Sequence, residues 1–250
     1  MSERYFGQSV IEWIPHGTQR ILDIGCSSGY DTARLAGKAQ EVYGVDTDAA
    51  SIKKATQLHN NIVFSVADAG LLPFPDHYFD AILMSEVLEH VRDEHAALKE
   101  AHRVLRSGGT LVLTVPHKGL FSFLDPANQK YYLRQSLPGL YRWFISFKTK
   151  RDPTYTDTLA QGFHRHYSRS DLVALLDCSQ WIGQYLIVRT RYRSLVLGPL
   201  VGIIKAVLGL WLGKTLALRI IRPLCFFAAR ESRISFGTLS NQIELLITKY

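Results

Sequence analysis

The sequence predicts an α/β fold, a doubly wound and mostly parallel seven-stranded sheet with helices on both faces. Three observations predict it. Short apolar runs that end in an acid recur at 21–23, 42–46 and 62–68, each leading toward a turn. That is the pattern of buried parallel strands with ligands at their carboxyl ends. The first turn, Gly25-Cys26-Ser27-Ser28-Gly29, leads into helix-compatible Thr32-Ala33-Arg34-Leu35-Ala36, which reads as strand, tight loop, helix. At 250 residues, 47% hydrophobic and 20% charged, the chain suits one α/β domain (1–250) with insertions and is too apolar to be disordered.

The elements follow in order. Ile21-Leu22-Asp23-Ile24 is the first strand, and Gly25 and Gly29, lacking a Cβ, let the backbone approach a ligand closely. Val42-Tyr43-Gly44-Val45-Asp46 is the second, ending in a carboxylate placed to accept both hydroxyls of a ribose. These two features define a nucleoside-cofactor site. The run 62–68 is a third strand, and Leu72-Pro73-Phe74-Pro75-Asp76 leads into a fourth over 79–85, followed by the loop Glu86-Val87-Leu88-Glu89-His90. A helix over 96–105 is expected to end at Ser107-Gly108-Gly109, before a fifth strand over 110–116. A helix over 171–176, capped by Ser168 or Ser170, precedes a sixth strand over 184–192 and a final antiparallel strand over 242–249.

In this order the motifs resemble the class I S-adenosylmethionine-dependent methyltransferases, with their Rossmann-like sheet, in the type-11-like branch of small-molecule and lipid enzymes. The resemblance covers 11–116 well and 163–177 more loosely. The family's first loop reads Asp-x-Gly-x-Gly-x-Gly, and here the middle glycine is Ser27. A dinucleotide oxidoreductase fits less well, since Gly-x-Gly-x-x-Gly is absent and Asp23 suits an aminoacyl ligand better than a pyrophosphate. The resemblance implies S-adenosylmethionine as cofactor. It puts Asp23, Gly25, Cys26, Ser27 and Gly29 around the methionine part, Asp46 on the ribose and Thr47 beside the adenine. Asp68 and Ala69 address the adenine amino group, and Ser85 and Glu86 lie near the methionine end and the acceptor.

Methyl transfer from a sulfonium is an in-line displacement that needs positioning, exclusion of water and sometimes removal of a proton. A dedicated base is not obligatory. His90, His117, His164 and His166 are the candidates, and the sequence does not rank them. Glu86-x-x-Glu89-His90 is similar to the magnesium-binding element of ubiquinone-pathway O-methyltransferases and small-RNA 2′-O-methyltransferases. Two carboxylates and an imidazole one helical turn apart could hold a hard cation, with His164 or His166 completing the shell. The same pentapeptide serves members of this branch without metal, so no metal is expected.

Charge is unevenly spread. Residues 1–177 carry 19 Lys and Arg against 20 Asp and Glu, whereas residues 178–250 carry 10 against 2. The net charge of +7 therefore belongs to the C-terminal third. Three scattered cysteines, Cys26, Cys178 and Cys225, give neither a disulfide framework nor a metal spacing, and the N-terminus reads as no signal peptide. A cytoplasmic setting is expected.

Two insertions are predicted. Segment 117–163 holds ten aromatic residues and reads as a lid over the acceptor pocket. Segment 194–238 includes 195–213, nineteen residues with one charge. Lys205 and Pro199 oppose a membrane span. The preferred reading is helices lying in the membrane interface through 194–230, with basic residues toward anionic head groups; packing on the core or an oligomer interface is the alternative. The expectation is thus a methyltransferase acting on a hydrophobic or lipid-linked small molecule at the inner face of a membrane. A nucleic-acid methyltransferase, prompted by a pI near 9.3, would need basic residues among polar and aromatic ones, and here they alternate with Leu, Val, Ile and Gly. A non-catalytic cofactor-binding module is opposed by the intact Asp23, Asp46 and Asp68.

Overall fold

A computed structural model describes residues 10–119, 137, 139, 165–193, 240 and 242–250. His164, Cys225, most of the expected lid 117–163 and the whole insertion 194–238 lie outside the described residues. The strands are β1 (Thr18–Ile24), β2 (Ala39–Asp46), β3 (Val63–Val66), β4 (Phe79–Ser85), β5 (Leu105–Pro116), β6 (Tyr185–Arg193) and β7 (Gln242–Lys249). They form one sheet in the order β3-β2-β1-β4-β5-β7-β6. The first five are parallel, and β7 runs antiparallel to both β5 and β6. The strand order reverses at β1, which pairs with β2 on one side and β4 on the other. A crevice at the carboxyl ends there is the expected ligand position in such a sheet.

Side chains alternate across the sheet because the strand period is two. Leu22, Ile82, Met84, Leu111 and Leu113 go to one face, against Ala97, Leu98 and Ala101 of helix α3 (Glu94–Val104) and Leu172 and Leu176 of α4 (Arg169–Asp177). Ile21, Val42, Leu83 and Val112 go to the other, against Ile11, Ile14 and Leu35 of α1 (Tyr30–Leu35). Strands covered on both faces read as unbroken apolar runs, which is why β1 and β4 are legible in the sequence.

Three of the described α-helices start where side chains satisfy free amide groups. Asp93 accepts from Ala96 N–H at the start of α3. Ser168, one of the two caps expected, forms a capping box with Asp171 on α4. Helix α2 (Ala49–Leu58) is not among the elements expected above; its cap, Asp48, accepts from Ala50 and Ser51 N–H.

One boundary differs from expectation. Helix α3 stops at Val104, and the chain is already extended at Leu105, which pairs with Phe79. Ser107-Gly108-Gly109 is therefore no helix terminus. It is an irregularity inside β5, with Gly108 at φ 73°, between the Leu105 and Thr110 pairings. The helix end is capped from β7: buried Lys249 Nζ donates to His102 O and Leu105 O, each at 2.8 Å. Lys249→Met keeps the stem and strips two carbonyls of their donor, so it is expected to lower unfolding free energy by about 1–3 kcal/mol in denaturant titration.

Candidate functional site

The loop after β1 is bent back onto β2 by three hydrogen bonds. Gly25 and Cys26 N–H donate to Val45 O at 2.8 and 3.0 Å. Ser27 N–H donates to Asp46 Oδ2 at 2.9 Å. Gly25 and Gly29 take φ 77° and 79°, where a Cβ is strained. Space is also short: a Cβ on Gly25 would lie 2.3 Å from Val87 Cγ2, and one on Gly29 2.8 Å from Phe64 Cζ. The glycines are thus required by backbone conformation and by protein contacts as well as by any ligand. Ser27, where the family has glycine, takes φ 47°. Ser27 therefore holds a left-handed backbone without being a glycine.

Three carboxylates stand at the tips of adjacent strands. Asp46 closes β2, and its Oδ1 accepts from Asp48 N–H at 2.9 Å while Oδ2 takes Ser27. Each oxygen keeps a further lone pair for a hydroxyl. Asp68, exposed just beyond β3, accepts from Gly70 N–H at 2.7 Å, with Thr47 exposed and Ala69 buried beside these tips. Asp23 on β1 is buried, and its Oδ2 accepts from Thr32 Oγ1 at 2.6 Å. Burial pushes its carboxyl up to about 7, opposed by the Thr32 hydrogen bond. Cys26 is buried beside them, and burial raises its thiol far above the usual range, so it serves as a small apolar wall.

On the other side of the switch point, β4 ends at Ser85, whose Oγ lies 3.0 Å from Thr114 Oγ1. Glu86 follows at φ 55°. Its Oε1 accepts from Gln242 Nε2 at 2.8 Å and from Thr114 Oγ1 at 3.2 Å. The segment 86–90 is a turn rather than the helical turn expected, with His90 N–H donating to Val87 O at 2.9 Å. Glu89 is buried, His90 is exposed, and their side chains stand 3.9 Å apart. Among the described residues no group of three His, Cys, Asp or Glu side chains is arranged to hold a metal. Glu86, Glu89 and His90 are not brought together as ligands.

His117 follows β5 and is buried, with Nδ1 at 2.9 Å from Ser240 Oγ and 3.2 Å from Ser240 O. Burial lowers its pKa, and neighbouring His166 lowers it further. His117 and His166 are therefore brought together, while His90 lies on an exposed turn. Thr32, Thr114, Ser240 and Gln242 were not legible as site residues. The only signal for Thr114 and Gln242 was a polar side chain at the tip of an apolar strand. A cavity of about 580 Å3 lined by His16, Thr18, Asp80 and Arg106 lies at the opposite, amino ends of β1 and β4, away from this cluster.

Residues 22–113 match the family model described as a methyltransferase domain. The ubiquinone/menaquinone biosynthesis C-methyltransferase UbiE of Photorhabdus laumondii is 30% identical over 168 residues, 64% of this chain and 64% of that protein. The 27-O-demethylrifamycin SV methyltransferase of Amycolatopsis mediterranei is 36% identical over 102 residues, 38% of this chain and 37% of that protein. A structure of geranyl diphosphate methyltransferase with S-adenosylmethionine superposes with a TM-score of 0.59 at 14% identity, covering 100% of this chain and 85% of that one. Over residues 22–113 the chain is thus similar to S-adenosylmethionine-dependent methyltransferases, and its sheet has the fold of the solved ones. The chain spans only 37% to 65% of the length of the curated relatives it matches.

Asp23 makes stability depend on pH in a definite direction. Its folded pKa, about 7, lies above the ordinary 3.8, so between about pH 4 and 7 the folded chain holds a proton that the unfolded chain has released. That stabilisation is complete below pH 4 and is lost as pH rises toward 7. Asp23→Asn is expected to flatten this part of the stability-against-pH curve of the ligand-free protein, measured by chemical denaturation.

Proposed function

We propose that this chain transfers a methyl group from S-adenosylmethionine to a hydrophobic or lipid-linked small molecule at a membrane surface. The observation that carries the cofactor half is the set of acids at successive strand tips, with Asp46 oriented by two backbone N–H groups. The donor set suits an adenosyl sulfonium. Carboxylates accept ribose hydroxyls and favour a cation, and the close loop 25–29 offers backbone groups to an aminoacyl end. Asp46 would hold the ribose, the loop with Asp23 beneath it the methionine end, and Asp68 with Ala69 the adenine. Ser85 and Glu86 would border the acceptor.

When bound, that cofactor supplies an electrophilic methyl carbon, and the chain's task is to hold the acceptor in line and keep water out. His117, kept neutral by its burial, is suited to take a proton where the acceptor must lose one. The acceptor half of the proposal rests on the sequence. Ten basic and two acidic residues in 178–250 surround an apolar run, and ten aromatic residues fill 117–163. We read these as an interfacial anchor (194–238) and an acceptor lid. Among the described residues no helix is long and apolar enough to cross a membrane. Relatives named for quinone and geranyl diphosphate methylation point the same way.

Asp46→Ala is expected to weaken S-adenosylmethionine binding by about tenfold or more in calorimetry, the scale of lost hydrogen bonds to a charged group. Separately, labelled methyl donor incubated with membrane extract is expected to label a lipid-soluble product. Deleting 195–213 should abolish binding to anionic liposomes and most of that transfer. Full activity of the deleted chain on a water-soluble acceptor would sink the membrane reading.

A further inference from the structure

Gln242 opens β7, paired with Pro116 at the carboxyl end of β5, and is only 3% exposed. Its Nε2 donates to Glu86 Oε1, while its Oε1 is buried with no hydrogen-bond partner among the described residues. The orientation of the carboxamide follows from chemistry, because an ionised carboxylate only accepts and so must face the nitrogen. Glu86 is a non-glycine residue in the left-handed region, a conformation that persists only where neighbours hold it. Its described holders are Thr114, through O on the Glu86 N–H (3.0 Å) and Oγ1 on the carboxylate, and Gln242. A buried carbonyl oxygen left without a donor is costly, so its place beside Glu86 calls for an explanation.

We propose that Gln242 is a positioning and selectivity residue of the acceptor site. Its nitrogen fixes the Glu86 carboxylate, and its oxygen receives a hydroxyl or N–H of the methyl-accepting molecule. This rests on the methyltransferase reading with Glu86 at the acceptor, and it narrows the substrate class. The acceptor carries a hydrogen-bond donor at the reacting end of an apolar body. Glu86 and Gln242 Oε1 together present only acceptors to it, so an analogue with the donor masked as an ether leaves both unsatisfied.

Two substitutions test the assignment. Gln242→Met keeps the volume and removes both hydrogen bonds. Gln242→Glu sets a second carboxyl against Glu86, and two such groups share one proton, which restores the hydrogen bond on acidification. The probes are S-adenosylhomocysteine in calorimetry, for the cofactor pocket, and labelled methyl transfer into membrane-lipid extract. Both variants are expected to bind S-adenosylhomocysteine within about twofold of wild type. Transfer by Gln242→Met should fall about tenfold or more. Transfer by Gln242→Glu should be weak near pH 8 and recover toward wild type near pH 6, a profile that a merely structural role would not produce. Wild-type transfer in either variant at every pH overturns the proposal. So does a wild type that binds S-adenosylhomocysteine and labels nothing. If wild type does not bind it at all, the methyltransferase reading fails first. Should Gln242→Met not fold, the pH profile of Gln242→Glu decides.

Discussion

Three amide hydrogens hold this architecture to its purpose. Those of Gly25, Cys26 and Ser27 all end on the last two residues of β2, two on a carbonyl and one on a carboxylate. They turn the chain back at the tip of β1, so that α1 begins beside the crevice where the strand order reverses. Val87 fills the place a side chain at 25 would need, which packs the loop after β4 onto the loop after β1. The two halves of the site thus lean on one another. A shift of either loop is felt by the carboxylate of Asp46.

The central sheet was legible because its physics is local. Strands β1, β2 and β4 each carry a short apolar run covered on both faces, and each meets a turn of small or polar residues. The acids at positions 23, 46 and 68 were legible for the same reason, as charged residues ending runs that admit none. What escaped the sequence depends on distant pairing. The end of α3 is set by Leu105 finding Phe79 and by Lys249 arriving from β7, more than 140 positions away. The contacts of Glu86 with Gln242 and of His117 with Ser240 join residues 156 and 123 positions apart. No periodicity within a window reports such a contact. The helical spacing read into 86–90 failed because a residue held at positive φ starts that segment as a turn.

Electrostatics divides the site into unlike halves. On the β1–β2 side, carboxylates are oriented by backbone N–H groups or held by Thr32, a pattern suited to a cationic nucleoside. On the β4–β5 side, Glu86 is met by neutral partners, Thr114 and Gln242, and His117 is kept uncharged by its surroundings. The basic residues of the C-terminal third lie largely in 194–238, while β7 itself is mostly buried, its polar Gln242, Glu244 and Lys249 included.

The sheet order has a consequence for how the chain comes into being. Among the described strands, β6 touches the rest of the sheet only through β7, which is made after it. Until then β5 presents an unpaired edge and β6 has no neighbour, so the nascent chain carries two open templates for misassociation. Because Ser240 and Gln242 arrive with that same strand, the contacts of Glu86 and His117 at the crevice form only once β7 has docked. The arrangement ties the geometry of the crevice to the docking of one strand.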